Sequence, residues 1–265
     1  MRSGALVGVV NVTPDSFSDG GEFSDPAKAI ARGVEMAGDG AALVDVGGES
    51  TRPGAEPVDQ DEELRRLIPV VEGLVAAEVA VSVDTYKPGV ARRALEAGAA
   101  AVNDVTGFTD PEMVEAVAGT RCGVVVMHMK GKPWDMHIDP VYEDVVDEVE
   151  SGLLEGVERL EAVGVNRRRI AIDPGLGFGK RARHSLTLLA NLDRIARHGL
   201  PVMVGASRKG FLAGVVEDQS REARDRATAV STALAYARGA RLFRVHDIPR
   251  SRDALRLAAA IVANQ

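Results

Sequence analysis

Short runs of Val, Ile, Leu and Ala recur along the chain, each followed by a longer stretch whose apolar positions repeat at helical spacing. The runs Leu6–Val10, Ala42–Val46, Val79–Val83, Ala100–Val102, Val124–Met127, Ile170–Ile172, Val202–Val204 and Leu242–Val245 are apolar on both faces. That is the pattern of parallel strands, because crossover helices cover the outside of such a sheet. The intervening stretches predict helices over Ala27–Ala37, Glu62–Val75, Val90–Glu96, Pro111–Ala118, Val141–Ala162, Ser185–Ala196, Arg221–Arg238 and Ala254–Val262. Asp61-Glu62-Glu63 and Asp139-Pro140 fall near helix starts, where acid and proline suit the free amides, and Gly98 and Gly164 punctuate helix ends. His128 to Asp139 reads as an extended loop ahead of its helix.

Eight such repeats in 265 residues predict an α/β fold of the (β/α)8 TIM-barrel type, with residues 1–265 as a single domain. A doubly wound open sheet is the structural rival, and the repeat count and chain length favour the barrel.

A barrel gives meaning to the residues just past each run. They are Asn11, Gly47-Gly48-Glu49, Asp84, Asn103-Asp104, His128, Asp173, Gly205 with Ser207-Arg208-Lys209, and His246-Asp247 beyond Arg244. Barrel strands all end at one face, so these polar groups form a single rim. Singly, each has a plain structural use: Asp104 or Asp247 can cap amides, and Lys209 or Arg244 can pair with a rim carboxylate. Polar groups after all eight strands predict a site for a small anionic substrate.

Charge and composition narrow the partners. A net charge of −7 gives no general pull toward nucleic acid, though local donors can still hold a small phosphorylated ligand. Aromatics are only 4%, so the core must be aliphatic. Cys122 stands alone, which excludes a disulfide framework and a thiolate metal cluster. Neither a secretory start nor an 18-residue apolar run is present, so a cytoplasmic protein without a membrane span is expected.

The rim residues suggest specific chemistry. Asp173 offers two acceptors to an amino-substituted heterocycle, and Asn103 offers both a donor and an acceptor to the same ring edge. Lys209 and Arg244 can meet anionic or electron-rich groups, with His246 as a further donor. The glycine pattern of Asp173–Lys180 is neither a P-loop nor GxGxxG; it reads as a flexible ligand loop or as repeated tight turns. Asn11 can lend one oxygen to Mg²⁺ held mainly by substrate phosphates. The polar stretches after Asn11 and Glu49 are suited to closing over a ligand.

The stretches NVTPDSFSDGG (Asn11–Gly21), GGESTRPG (Gly47–Gly54), VDT (Val83–Thr85), NDV (Asn103–Val105), DPGLGFGK (Asp173–Lys180), SRK (Ser207–Lys209) and RVHD (Arg244–Asp247) span nearly the whole chain. In this order, the set resembles the dihydropteroate synthase family. The resemblance implies condensation of 6-hydroxymethyl-7,8-dihydropterin diphosphate with 4-aminobenzoate to give 7,8-dihydropteroate and diphosphate. It also implies Mg²⁺ dependence, a homodimer and inhibition by sulfonamides. By the same resemblance Asp84, Asn103, Asp173 and Lys209 contact the pterin. Asn11 helps hold diphosphate and Mg²⁺, while Arg244 and His246 bind phosphate. Thr51, Arg52 and Pro53 shape the aminobenzoate site with Ser207 and Phe178, and Phe17 closes above it. Asp84, Lys209 and Arg52 are the residues expected to carry catalysis. The chain departs from the family's pattern at Trp134, His137 and His184-Ser185, which bears on loop shape. Two alternatives share the pterin-recognition residues: a methyltetrahydrofolate–corrinoid methyltransferase and a catalytically weak pterin-binding paralogue.

Overall fold

The computed structural model describes residues 4–13, 25–50, 57–132 and 134–264. Among these, eight parallel strands run β1 (Ala5–Asn11), β2 (Leu43–Gly47), β3 (Val81–Asp84), β4 (Ala101–Asp104), β5 (Gly123–Met127), β6 (Ile170–Asp173), β7 (Met203–Val204) and β8 (Leu242–Val245). Each pairs with its neighbour in the order β6-β5-β4-β3-β2-β1-β8-β7. Between β6 and β7 the ring is closed by a bridge pairing Ile172 with Val202, where the Ile172 N–H donates to Pro201 O at 3.0 Å. The fold is a (β/α)8 barrel.

The helices are α1 (Pro26–Gly38), α2 (Gln60–Ala76), α3 (Pro88–Glu96), α4 (Pro111–Val117), α5 (Val145–Ala162), α6 (Ala182–Ala190), α7 (Leu192–Ala196), α8 (Gly210–Ala213), α9 (Arg221–Ala237) and α10 (Ile248–Val262). Local chemistry sets several boundaries differently from the periodicity. The helix expected from Val141 starts at Val145, because Asp144 accepts from the Val146 and Asp147 amides. Asp139-Pro140 therefore stays in the preceding loop. The stretch expected as one helix from Ser185 begins at Ala182 and breaks at Asn191 into α6 and α7. The last helix begins six residues before Ala254, capped by Asp247 on the Arg250 amide at 3.0 Å with Pro249 in its first turn. Gly98 and Gly164 do close helices, at φ of +100° and +85°.

Alternation along the strands makes two apolar regions. Outward residues such as Val44, Val46, Val81, Val83 and Val102 are fully buried beneath the helices. Each contributes roughly 1.5–3 kcal/mol through burial. Inward residues Val7, Val125, Ala171 and Met203, with Leu43 and Leu242 against them, plug the barrel interior. One step further toward the C-terminal ends the inward positions turn polar. Asp45 pairs with Ser82, Asp84 with Asn103, and Met127 with Asp173 in the strand register. The apolar plug thus floors a polar layer at the C-terminal rim.

Candidate active site

Arg244 organises the polar layer. It projects from β8, and its Nε donates to Asp45 Oδ2 at 2.6 Å while Nη2 donates to Asp84 Oδ2 at 2.7 Å. Both carboxylates are nearly buried, so the guanidinium offsets two charges that would otherwise be costly to desolvate. Two of its five N–H groups are used this way, which leaves others for an anion. Asn103 Nδ2 reaches Asp45 Oδ2 at 3.4 Å, whereas Asn103 Oδ1 and Asp45 Oδ1 are buried without a hydrogen-bond partner. An unpaired buried acceptor costs free energy unless a donor arrives, so these two oxygens are prepared for ligand N–H groups.

The rim carboxylates are electrostatically perturbed. Burial pushes Asp84 up to about 7, Arg244 pulls it back, and the neighbouring charge of Asp45 adds to the rise. Burial also raises Asp173, opposed by Lys209. Lys209 is in turn pushed down to about 8 by burial, with Asp173 opposing. Shifts of this size in one polar layer are characteristic of sites that do chemistry.

Lys209 lies on the far wall. Its Nζ donates to the Leu176 carbonyl and sits 4.4 Å from the centre of the Phe178 ring. Both belong to the Asp173–Lys180 loop, whose glycines serve backbone shape: Gly175, Gly177 and Gly179 have φ of +63°, +81° and +59°. A Cβ on Gly175 would lie 1.9 Å from the His128 carbonyl oxygen, so no other residue fits without moving the loop. The loop is also pinned at Asp173 Oδ1, which accepts the Gly175 amide at 2.7 Å, and at Ser185 Oγ, which accepts the Gly177 amide at 3.1 Å. The buried Lys180 Nζ lies 3.0 Å from each of His128 Nδ1, His128 O and Phe178 O. Burial, with the charge of Lys180, pushes His128 down to about 3, and burial pushes Lys180 itself well below the usual lysine range. Repeated turns, densely fastened, account for the glycine pattern.

Ser207 and His246 meet beside Arg244. The His246 amide donates to Ser207 Oγ at 3.2 Å, and Oγ is 2.9 Å from His246 Nδ1. Ser207 Oγ thus meets His246 twice, at its backbone N–H and at ring Nδ1. Asn11 ends β1 opposite Gly47. Asp104 and Asp247 have structural duties: Asp104 accepts from the Thr106 and Phe108 amides at 2.8 Å, and Asp247 caps α10.

The structure therefore gathers Asn11, Asp84, Asn103, Asp173, Phe178, Ser207, Lys209, Arg244 and His246 at one barrel end. Phe17, Thr51, Arg52 and Pro53 lie outside the described residues. Sequence reasoning missed Asp45, which sits within β2 and not past its end. Its signal was available: in Leu43–Gly47 the residues two apart share a face, and a carboxylate between Val44 and Val46 points into the barrel.

Fold and rim together define a barrel enzyme that presents buried acceptors and cations to a polar ring and an attached anion. The family described as pterin binding enzyme matches residues 7–246. A dihydropteroate synthase of Mycobacterium leprae is 45% identical, with 96% of this chain and 92% of that protein covered. The solved dihydropteroate synthase of Xanthomonas albilineans with 4-aminobenzoic acid superposes with a TM-score of 0.92 at 46% identity, covering 98% of this chain and 94% of that one. The structure of the Xanthomonas albilineans enzyme in complex with 7,8-dihydropteroate gives 0.88 at 42% identity, with the same coverage. The chain belongs to the dihydropteroate synthase family of pterin binding enzymes.

Proposed function

We propose that the chain condenses 6-hydroxymethyl-7,8-dihydropterin diphosphate with 4-aminobenzoate, forming 7,8-dihydropteroate and diphosphate, and that residues 1–265 are one catalytic domain. The observation that carries this reading is the Arg244 fork on Asp45 and Asp84 beside the unpartnered Asn103 Oδ1. The ring edge of an aminopterin brings the N–H donors those oxygens lack, and its ring atoms bring acceptors for Lys209. The ligands named for the Xanthomonas albilineans enzyme, 4-aminobenzoic acid and 7,8-dihydropteroate, are one substrate and the product of this reaction.

The residues then have separable tasks. Asp84, Asn103, Asp173 and Lys209 bind and orient the pterin. As the bond to diphosphate breaks, positive character grows on the pterin methylene, and ionised Asp84 stabilises it. The remaining N–H groups of Arg244, with the His246 ring beside them, stabilise the departing anion. The nucleophile is an aromatic amine, already neutral at pH 7, so no strong general base is required. Ser207 and Phe178 border the amine side, and the family resemblance adds Phe17, Thr51, Arg52 and Pro53 there.

For Mg²⁺ the donor set fits: Asn11 contributes one hard amide oxygen, and Gly47 beside it has no side chain, so a cation that keeps phosphate and water ligands has room. When bound, Mg²⁺ would neutralise charge on the diphosphate. A homodimer is supported by the exposed i, i+4 pairs Val230 and Leu234 on α9 and Leu257 and Ile261 on α10, each at least 56% exposed. Light scattering on purified protein checks it, and a monomer at micromolar concentration would contradict it. No helix of the described residues is long and apolar enough to cross a membrane. A cytoplasmic location, supported by the single buried Cys122, completes the reading.

The test is diphosphate release with each component omitted in turn. Release is expected only with both organic substrates and Mg²⁺ present. Release that does not require 4-aminobenzoate would refute the condensation.

A further inference from the structure

Arg208 has a backbone φ of +59°, in the left-handed region that side chains rarely adopt. It is the third residue of a turn from Ala206 to Lys209, closed by the Lys209 amide on Ala206 O at 3.2 Å. Such a position normally takes glycine or asparagine. An arginine there must be over-determined by its surroundings, and it is. Its Nε and Nη2 donate to Asp225 Oδ1 and Oδ2 on α9 at 2.6 and 2.9 Å, a planar two-point fork. Its amide donates to Thr228 Oγ1 of the same helix at 3.2 Å, and that hydroxyl is itself held by Arg224 O at 2.7 Å. Asp225 is buried, so the fork is shielded from salt and water.

The side chain of Arg208 thus leaves the rim for α9, while the residues on either side of it serve the rim. Ser207 faces His246, and Lys209 faces Leu176 O and the Phe178 ring. Arg208 turns away from the rim between two residues that face it, and its left-handed step and its fork to Asp225 fix the turn that sets where Ser207 and Lys209 stand. We propose that the Arg208–Asp225 fork is a positioning device for the condensation, holding the turn after β7 so that Ser207 and Lys209 are presented together to the substrates. This rests on the reaction proposed above. Neither residue touches substrate; both act through their neighbours.

Arg208→Gly separates shape from fold, because glycine accepts the positive φ without strain yet supplies no fork. Its thermal midpoint is expected to fall, because the buried Asp225 carboxylate loses its partner, so rates and KM are compared per folded protein at a temperature where both proteins are native. The variant's KM for the pterin diphosphate is expected to rise tenfold or more, and its single-turnover rate to fall. Asp225→Asn, which keeps the volume, should reproduce most of that loss, and the double variant should be no worse than Arg208→Gly alone. Arg208→Lys keeps the charge but not the planar fork and should not restore KM. Unchanged KM with kcat reduced only in proportion to folded protein would make the pair merely structural and overturn the proposal. So would losses that multiply in the double variant. Wild-type protein that forms no product would instead sink the reaction itself, which separates the two failures.

Discussion

Replacing Asp45 with asparagine should move the acidic limb of the pH–rate profile down. Asp84 is held up at about 7 by burial, with the charge on Asp45 adding to the rise. The two carboxylates are held by adjacent nitrogens of one guanidinium, at 2.6 and 2.7 Å. At a carboxylate separation of roughly 5 Å and an effective dielectric of about 20, their repulsion is about 3 kcal/mol. At about 1.4 kcal/mol per pH unit that is a ceiling of about two units, and relaxation brings the expected shift to about one. The sign follows from the charge: a neutral amide in place of the Asp45 carboxylate no longer opposes ionisation of Asp84, so the active carboxylate survives to lower pH. The amide also retains an oxygen for Arg244 Nε and for Asn103 Nδ2, so the fold should lose no more than about 1.5 kcal/mol. The assay is kcat/KM for the pterin diphosphate from pH 5 to 9 at saturating 4-aminobenzoate, with stability followed across the same range. Substrate ionisation is common to both proteins and cancels in the comparison. An acidic limb that stays in place, or moves up, refutes the coupling of Asp45 to Asp84 and with it the electrostatic account of the rim.

Three further substitutions have defined outcomes. Asp84→Asn should lower the single-turnover rate by about 10²–10³, the usual effect of removing one preorganised electrostatic partner, and near-native chemistry would remove Asp84 from the mechanism. Because the folded-state value of Asp84 lies above its unfolded one, wild type loses stability as pH rises from about 4 to 7; the Asp84→Asn protein should gain on it over that window in urea titrations. Lys209, pushed down to about 8 by burial, should produce a basic limb near pH 8 that disappears in Lys209→Arg, and persistence of the limb would assign it elsewhere. Gly175→Ala combines a positive φ with a Cβ 1.9 Å from the His128 carbonyl, so it should cost more than about 2 kcal/mol; an unchanged melting temperature would show that the loop yields.

The barrel was legible because its signal is repeated: eight strands buried on both faces read as apolar runs, and their ends read as polar punctuation. The boundaries were less so, for local reasons. Asn191 interrupts α6 and α7 without glycine or proline to mark the break, and the early start of α10 rests on a cap, Asp247, whose role depends on the Arg250 amide. At the site, residues just past strand ends could be grouped from barrel geometry alone. Asp45 could not be found that way, since it lies inside β2 and shows itself only through the alternation of inward and outward side chains. Arg208 lay within a motif quoted for its neighbours. Its left-handed backbone and its fork to Asp225, 17 residues on, are tertiary facts that periodicity does not carry.

The central claim is that this rim joins a pterin to an aromatic amine. Mass spectrometry of purified protein incubated with the pterin diphosphate, 4-aminobenzoate and Mg²⁺ tests it most directly. The account predicts 7,8-dihydropteroate, formed repeatedly per protein molecule and lost when either organic substrate is withheld. Tight binding of the pterin with no such product would contradict it and leave a binding protein in place of an enzyme.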